Sequence, residues 1–515
     1  MNPFRYHMPF TVEVDAYQAG MFNQIPPGME NFQCSQLTHR KGLFPNESRI
    51  ISAGLALFIE WLDNVRIDTK DIEKAEKFYS TFCASVKEPY AKPYPWPKKI
   101  FETIVEKYNG KIPINVTGLP DGTAHYVGEP SVQVWTDEPG MGEMVGWIES
   151  ELLPYMWQCS VVATRGRIRK ERFFNLYKSL YPEMSDEDID MMSKYKFHDF
   201  GRRGAANSLV TGYAHLINWP GTDTVDAAYF IQEHLNGGRP FGACSIPAMA
   251  HRTVTPWPSE FEAYDNMIEL YGDDLVSIVA DSYDYSVGAT YLANQFQKFQ
   301  EKGGVLVIRP DSGDPIECIM YGLNALNERF GSKRNSAELK VLNGAALIQG
   351  DGVSDEDIFD RIIPAIIAGG YCPSNVAFGM GQHNHKAQRG DLESAYKTCM
   401  VGDNVSVMKA SNSQHKMSYP CPVQISPNYE TSVRVEAVTI SELKKHDTGD
   451  IWPFYTKLKD GTYGKIDYIN IKTDFDRIMR NAHYSWRGLN AEGPEGNSNI
   501  SPYILNLQKE YMESH

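Results

Sequence analysis

GVLVIRPDSGDPI, residues 304–316, is the stretch that decides how this chain folds. Its apolar run, Val305 to Ile308, is short and β-type, as in a strand buried in a sheet. A polar loop follows, then Pro315 near a helix start, and Ile316, Ile319, Met320, Leu323, Leu326 and Phe330 recur at helical spacing behind it. AALIQGDGVSDEDI (345–358) repeats the grammar, with Ser354 as N-cap before an acidic first turn; Pro364 is expected to end or kink that helix early. DLVSIVADSYD (274–284) and NVAFGMGQ (375–382) read as two further strands. Strand, loop and helix in repetition predict an α/β fold of parallel strands with crossover helices. In such folds chemistry collects at the carboxyl ends of the strands, where Asp281, Arg309, Asp311 and Asp351 lie.

The flanks read differently. PVQIS, SVRVEAVTI and the turn KDGTYG make the tail β-rich, and N-terminal segments are open to joining it. Ser185 precedes an acidic turn and predicts a helix start, while the Pro-, Lys- and aromatic-rich residues 85–115 read as an irregular surface excursion. With 515 residues the chain has room for two or three structural units. Three segments are expected: 1–180 as N-terminal parts of a β-rich or mixed domain with a dimer interface, 181–390 as the α/β catalytic domain, and 391–515 completing the first.

A net charge of −15 argues against a nucleic-acid partner, which requires a basic face. Local clusters of arginine and lysine still allow a polyanionic small molecule. Eight cysteines are scattered with no C-x-x-C pair, so neither a zinc site nor a disulfide framework is indicated. The N-terminus lacks a signal-peptide core, and no apolar run approaches the ~20 residues that span a bilayer. A cytoplasmic protein without a membrane role is the expectation.

Taken singly, the polar motifs are ambiguous. In isolation RPDSGD (309–314) reads first as a capped turn with a surface ion pair, and otherwise as an arginine for a phosphate or ring beside an acid for sugar hydroxyls. In QGDGV (349–353) the glycines let a ligand approach the backbone, or simply make a turn. GTDTV (221–225) fits a helix cap at Thr222, Asp223 or Thr224, with the helix starting near Val225. HDFGRRG (198–204) offers an aromatic beside two arginines, suited to a flat ring or to a salt-bridged loop. His251, in CSIPAMAHRTV (244–254), reads locally as a packed histidine. IVADSYDYSVGAT (278–290) lacks the paired acids and Thr/Gly-rich loop of the Rossmann-like phosphoribosyltransferases, because Ser282 follows Asp281. A Schiff-base lysine at a strand end, as an aldolase requires, is not evident.

In order, HDFGRRG, GTDTV, SIPAMAH, DSYD, RPDSGD, IQGDGV and AFGMG closely resemble the nicotinamide phosphoribosyltransferases, of the type II phosphoribosyltransferase family. The likeness is dense over about residues 195–380 and extends weakly to VDAYQAGMFNQIPPG (14–28) and VMKASNSQHKMS (407–418). It implies an irregular (β/α) barrel with an additional β-rich domain, in a homodimer with shared active sites. It implies conversion of nicotinamide and phosphoribosyl diphosphate into nicotinamide mononucleotide (NMN) and diphosphate in NAD salvage, with Mg2+, and with ATP as a coupled substrate. The resemblance puts Phe200 on one face of the nicotinamide ring and Tyr17 of the partner subunit on the other. It puts Arg203 and Asp223 at the ring amide, Ser245 and Arg309 in the base pocket, and Asp311, Gly350 and Asp351 at the ribose. Gly381, Lys386, Arg389, Lys409, Lys416 and Arg40 of the partner subunit fall at phosphate-side positions. His251 matches the histidine phosphorylated by ATP, with Asp281 as its orienting acid. No residue is assigned as a metal ligand.

The match has departures. Ala250 stands where the family has an acid before the histidine. GQHNHKAQRGD (381–391) keeps one of three loop glycines, with Arg389 one place out of register and His383 and Lys386 as substitute phosphate contacts. VDAYQAGM lacks a lysine after its tyrosine. Two alternatives therefore stand beside the amide-using enzyme: a nicotinate phosphoribosyltransferase, and a non-catalytic nucleotide-binding homologue.

Overall fold

The computed structural model describes residues 8–83, 92–201, 207–350, 352–409, 418–428, 432–445, 453–466, 475–493 and 500–514. The chain forms two compact units. One comprises residues 1–165, 230–241 and 387–515, the other residues 166–229 and 242–386.

The second unit is built on six parallel strands: β1 (Phe197–Asp199), β2 (Gly221–Thr222), β3 (Leu275–Val279), β4 (Val305–Arg309), β5 (Ala345–Gln349) and β6 (Val376–Met380). Their order is β2-β1-β6-β5-β4-β3. The opening stretch is β4, whose Leu306, Val307 and Ile308 are buried. It leads into the helix Pro315–Phe330, capped by the Asp314 carboxylate. Ile319, Leu323 and Leu326 of that helix, at the spacing read from sequence, join a core with Phe173, Phe197, Trp219, Ile278, Leu347 and Phe378. Each such side chain contributes about 1.5–3 kcal/mol by leaving water.

The segment containing His251 bridges the two edges of the sheet. Cys244 makes a parallel bridge to Gly221 of β2, and Ala248 makes one to Ser277 of β3. Pro247 offers no N–H to a ladder, yet its carbonyl accepts from Ser277 N at 2.9 Å. The curled sheet thus closes through single bridges along an irregular seam, as expected of an irregular α/β barrel.

The first unit carries a seven-stranded antiparallel sheet. N- and C-terminal segments interleave in it: Gln33–Thr38 lies between Pro130–Thr136 and Ala395–Val401, and Asn115–Gly118 pairs with Pro453–Lys457. The Val423–Asn428/Ser432–Ala437 hairpin matches the alternation in the tail, and the KDGTYG turn joins Pro453–Lys457 to Tyr463–Lys465.

Three expectations are corrected. Residues 85–115 are not wholly irregular: Lys98–Tyr108 is a helix, with Phe101 and Ile104 buried, and Trp96 stacks on Phe101. The apolar period in KKIFETIVEKY outweighs the prolines before it. Pro364 does not end its helix, which continues through Ile363–Ala368. A π-helical stretch, Asp357–Ile362, precedes it, and the wider turn makes room for the ring and the missing N–H. The tail is not only β: Phe475–Arg487 and Pro502–Ser514 are helices, the first burying Phe475, Ile478, Ala482 and Trp486 on one face. Ser185 and Ser354 cap as read, each accepting the amide of the third residue on.

A buried acid in the first unit yields a stability prediction. Burial pushes the Glu143 carboxyl up to about 7. The folded state then binds a proton that the unfolded state releases from about pH 4.5, so stability falls as pH rises between those values. Glu143→Gln should therefore stabilise the protein by about 3 kcal/mol at pH 8 and leave it nearly unchanged at pH 4. Thermal melts at the two pH values check this; an equal effect at both would contradict it.

Candidate active site

In the barrel unit the carboxyl ends of the strands bring together most of the residues singled out from sequence. β1 runs into Phe200, whose amide bonds to Met380 O at the end of β6 (3.0 Å). Its ring lies over the backbone of Gly379, where a Cβ would come within 2.0 Å of the ring, so only glycine fits. The Arg309 guanidinium stands 5.6 Å from the ring centroid, and the His198 ring 5.4 Å away.

Asp223 lies between β2 and the helix Val225–Phe230. The helix starts where the sequence suggests, but Thr222 provides the cap-like bond, accepting from Thr224 N at 2.9 Å. The Asp223 carboxylate is therefore not spent on capping. Its Oδ1 accepts from His198 Nε2 (3.0 Å) and Ser245 Oγ (2.5 Å), and no hydrogen bond from a described residue is seen at Oδ2. Burial opposes ionisation of Asp223, but His198 and Ser245 outweigh it and hold the carboxyl below its ordinary value. Asp223 is an anion at neutral pH, with one oxygen occupied.

The second cluster begins at Arg309. Its Nη2 pairs with Asp311 Oδ1 at 3.1 Å, its Nη1 donates to Met249 O at 3.4 Å, and its Nε is buried with no hydrogen-bond partner among the described residues. Asp311 Oδ2 accepts from His251 Nε2 at 3.3 Å, while His251 Nδ1 lies 3.0 Å from Ser282 Oγ. With Nε2 donating, a neutral ring accepts the serine hydroxyl at Nδ1. Asp281, the acid assigned to orient His251, stands farther from it, at 3.8 Å. Asp281 Oδ2 instead accepts from Asp311 N (3.0 Å), Ser312 N (2.6 Å) and Ser312 Oγ (2.5 Å), fixing the 309–314 loop. Its Oδ1 is buried with no hydrogen-bond partner among the described residues. Gly350 N bonds to Pro310 O (2.9 Å), and a Cβ there would lie 2.3 Å from Asp311 Oδ1. That glycine is required by the neighbouring acid as well as by any ligand.

Four cations gather in the first unit. Burial lowers the pKa of Arg40 and Arg389 lowers it further, while Glu393 opposes; Arg40 Nε and Nη2 are buried without hydrogen-bond partners among the described residues. Burial also lowers Lys397, with Arg40, Arg389 and Lys409 adding to it against Glu149. Like charges so crowded favour an anion beside them. Tyr17, in the same unit, is largely exposed. Gly381 and Lys386 belong to the barrel unit, where Gly381 O accepts from Asn384 N (3.1 Å) and His385 N (3.3 Å). Arg203, Asp351 and Lys416 lie outside the described residues.

Sequence reasoning missed His198, Ser282 and Lys397. His198 stands inside the quoted HDFGRRG, one residue from the aromatic on which attention rested. Ser282 entered only as a mismatch to another signature. Lys397 sits in a strand whose neighbours are apolar, and no linear motif marks it.

Residues 195–416 match the model of the nicotinate phosphoribosyltransferase (NAPRTase) family. Among curated proteins, the chain is 28% identical over 379 residues to a nicotinamide phosphoribosyltransferase of Xanthomonas campestris pv. campestris, covering 72% of this chain and 76% of the relative. It is 25% identical over 409 residues to one of Acinetobacter baylyi, covering 72% and 78%. Among solved structures, a nicotinate-nucleotide pyrophosphorylase from Pyrococcus furiosus superposes with a TM-score of 0.57 at 15% identity, covering 95% of this chain and 99% of that one. Human nicotinic acid phosphoribosyltransferase does so with 0.56 at 15%, covering 97% and 99%. Fold, matched span and relatives agree in supporting a type II phosphoribosyltransferase, a pentosyltransferase enzyme.

Proposed function

We propose that the enzyme joins nicotinamide to the ribose of phosphoribosyl diphosphate in NAD salvage, releasing NMN and diphosphate. The observation that carries this reading is the Asp223 carboxylate: one oxygen is held by His198 and Ser245, and His198 also touches Phe200. A carboxamide has the N–H donors that the other oxygen can accept, whereas the carboxylate of nicotinate meets a like charge. Phe200 then stacks on the ring, and Arg203 and Arg309 complete the base pocket.

Displacement at the anomeric carbon develops positive charge on the ribose. Asp311, with Asp351 and the Gly350 backbone, holds the ribose hydroxyls and stabilises that charge. The cations Arg40, Arg389, Lys397 and Lys409, with Lys386, Lys416 and the Gly381 backbone, are assigned to phosphate and diphosphate. Mg2+ fits this donor set as a companion of the diphosphate. Among the described residues no group of three or more His, Cys, Asp or Glu forms a cage, but Asp281 Oδ1 is a buried carboxylate oxygen that accepts no hydrogen bond from them. Mg2+ typically takes one or two carboxylates and completes its shell with phosphate and water. When bound, it supplies charge neutralisation to the departing diphosphate.

The test is an assay of nicotinamide and nicotinate with phosphoribosyl diphosphate, each with and without ATP. A clear preference for nicotinate would overturn the role given to Asp223. ATP enters the proposal through His251, half-exposed between Ser282 and Asp311, as the group phosphorylated during coupled turnover. His251→Ala should abolish stimulation by ATP and leave basal transfer reduced but measurable; retained stimulation would remove His251 from this role. We also propose a homodimer, cytoplasmic, in which Tyr17 and Arg40 of the partner subunit serve each site. Mixing Tyr17→Ala with Asp311→Asn protein should then recover activity that neither has alone, and no recovery would argue for self-contained subunits.

A further inference from the structure

After Gly381, the one loop glycine that is kept, come Gln382, His383, Asn384 and His385, and the last two turn inward. His385 Nε2 donates to Asp199 Oδ1 at 2.5 Å, and its Nδ1 lies 2.5 Å from Thr211 Oγ1. The Thr211 hydroxyl also lies 3.1 Å from Asn207 O. Both side chains of the His385–Asp199 pair are fully buried. Asn384 Nδ2 reaches Asp199 Oδ1 (3.4 Å) and His215 Nδ1 (3.1 Å), and its Oδ1 accepts from Arg169 Nη1 (2.8 Å). Arg169 Nε in turn pairs with Asp355 Oδ1 at 2.5 Å, just beyond the 350–353 loop.

Asp199 is the last residue of β1, and Phe200 follows it. The backbone beyond the ring also abuts this network: a Cβ on Gly201 would lie 2.7 Å from His385 Nε2 and 2.5 Å from Thr224 Oγ1. Thr224 Oγ1 donates to Asp199 Oδ2 at 2.8 Å. Asp199 is thereby held from both oxygens. Burial opposes its ionisation, yet His385, His215 and Thr224 hold the carboxyl well below the usual range. A charge so buried is tolerated only with its partners in place.

We propose that Asn384 and His385 are positioning residues for the base clamp: acting through Asp199, they fix the backbone that presents Phe200 to the ring of the substrate. Asn384 and His385 of the altered loop thus work inward on base binding, while Gly381, Lys386 and Arg389 keep their phosphate-side assignment. The proposal rests on the reading of Phe200 as the stacking residue, and the experiment separates the two.

His385→Leu removes the donor to Asp199, and His385→Gln restores one N–H. The expected result is a nicotinamide KM raised tenfold or more in His385→Leu, a phosphoribosyl diphosphate KM within twofold of the parent, and partial recovery in His385→Gln. A purely space-filling role predicts no rescue by glutamine over leucine. Amide exchange at Phe200 and Gly201 in the substrate-free protein should quicken about tenfold in His385→Leu. Unchanged exchange overturns the positioning role whatever the substrate proves to be. Faster exchange with an unchanged nicotinamide KM overturns the link to the base and the stacking role of Phe200, but not the network. Should His385→Leu fail to fold, Thr211→Val removes only the hydrogen-bond partner of Nδ1, and a threefold rise in nicotinamide KM is expected; no rise would count against the proposal.

Discussion

Asp311→Asn is expected to lower kcat by about 10²–10³ while the protein stays folded, because it removes a charge and almost no volume. The carboxylate is shared between Arg309 Nη2 (3.1 Å) and His251 Nε2 (3.3 Å), and its backbone amide is anchored on Asp281. Such anchoring means that the charge need not reorganise when the ribose becomes cationic, which is where preorganised electrostatics gain most. Asparagine keeps the shape, leaves Arg309 without its counter-ion and offers the ribose only a dipole. Gly350→Ala reaches the same carboxylate by a different route, since the new Cβ would lie 2.3 Å from Oδ1 and must displace it. A displacement of about 1 Å costs on the order of 10²-fold where alignment matters. Diphosphate release at saturating substrates measures both variants. A fall of less than fivefold in Asp311→Asn would remove Asp311 from the chemistry and leave it as a partner of Arg309.

The second large effect concerns choice of base. The parent should favour nicotinamide over nicotinate by at least about 10²-fold in kcat/KM, and Asp223→Ser should cut that ratio by a similar factor. Two terms change together: the amide loses its acceptor, and the acid loses its repulsion. The predicted movement is therefore in opposite directions for the two bases, which distinguishes a specificity residue from damage to the fold. Loss of activity toward both bases in proportion would contradict the assignment. His198 and Ser245 both use the Oδ1 atom of Asp223, so their loss should let the carboxylate rotate without abolishing selectivity.

The extent to which this arrangement is legible in the chain differs by element. The β4 and β5 stretches declare themselves, because parallel strands covered on both faces must be continuously apolar and their loops must carry the polar residues. The capping serines at 185 and 354 are equally readable, being local hydrogen bonds between residues three apart. The Asp223 site is half legible: the helix start is local, but the acid's release from capping depends on Thr222 taking that bond. The π-helical stretch before Pro364 is a tertiary accommodation, and propensity rules that end helices at proline do not foresee it.

By itself, the sequence determined the class of fold, the strand ends where chemistry gathers, and the identities of Phe200, Asp223, Arg309 and Asp311 as candidates. The fold class and the strand ends follow from periodicity and loop chemistry, which act over a few residues, whereas the four candidates rest on the resemblance of their motifs to a known family. Only the tertiary structure decided which acid faces His251, which oxygen of Asp223 is occupied, and that Lys397 joins Arg40, Arg389 and Lys409. Only it turned Asn384 and His385 from candidate phosphate-loop residues into a buried network on Asp199. Each of these is a contact between residues tens to hundreds of positions apart. Its direction is set by how strands close into a barrel and sheets pair, and no local pattern encodes that.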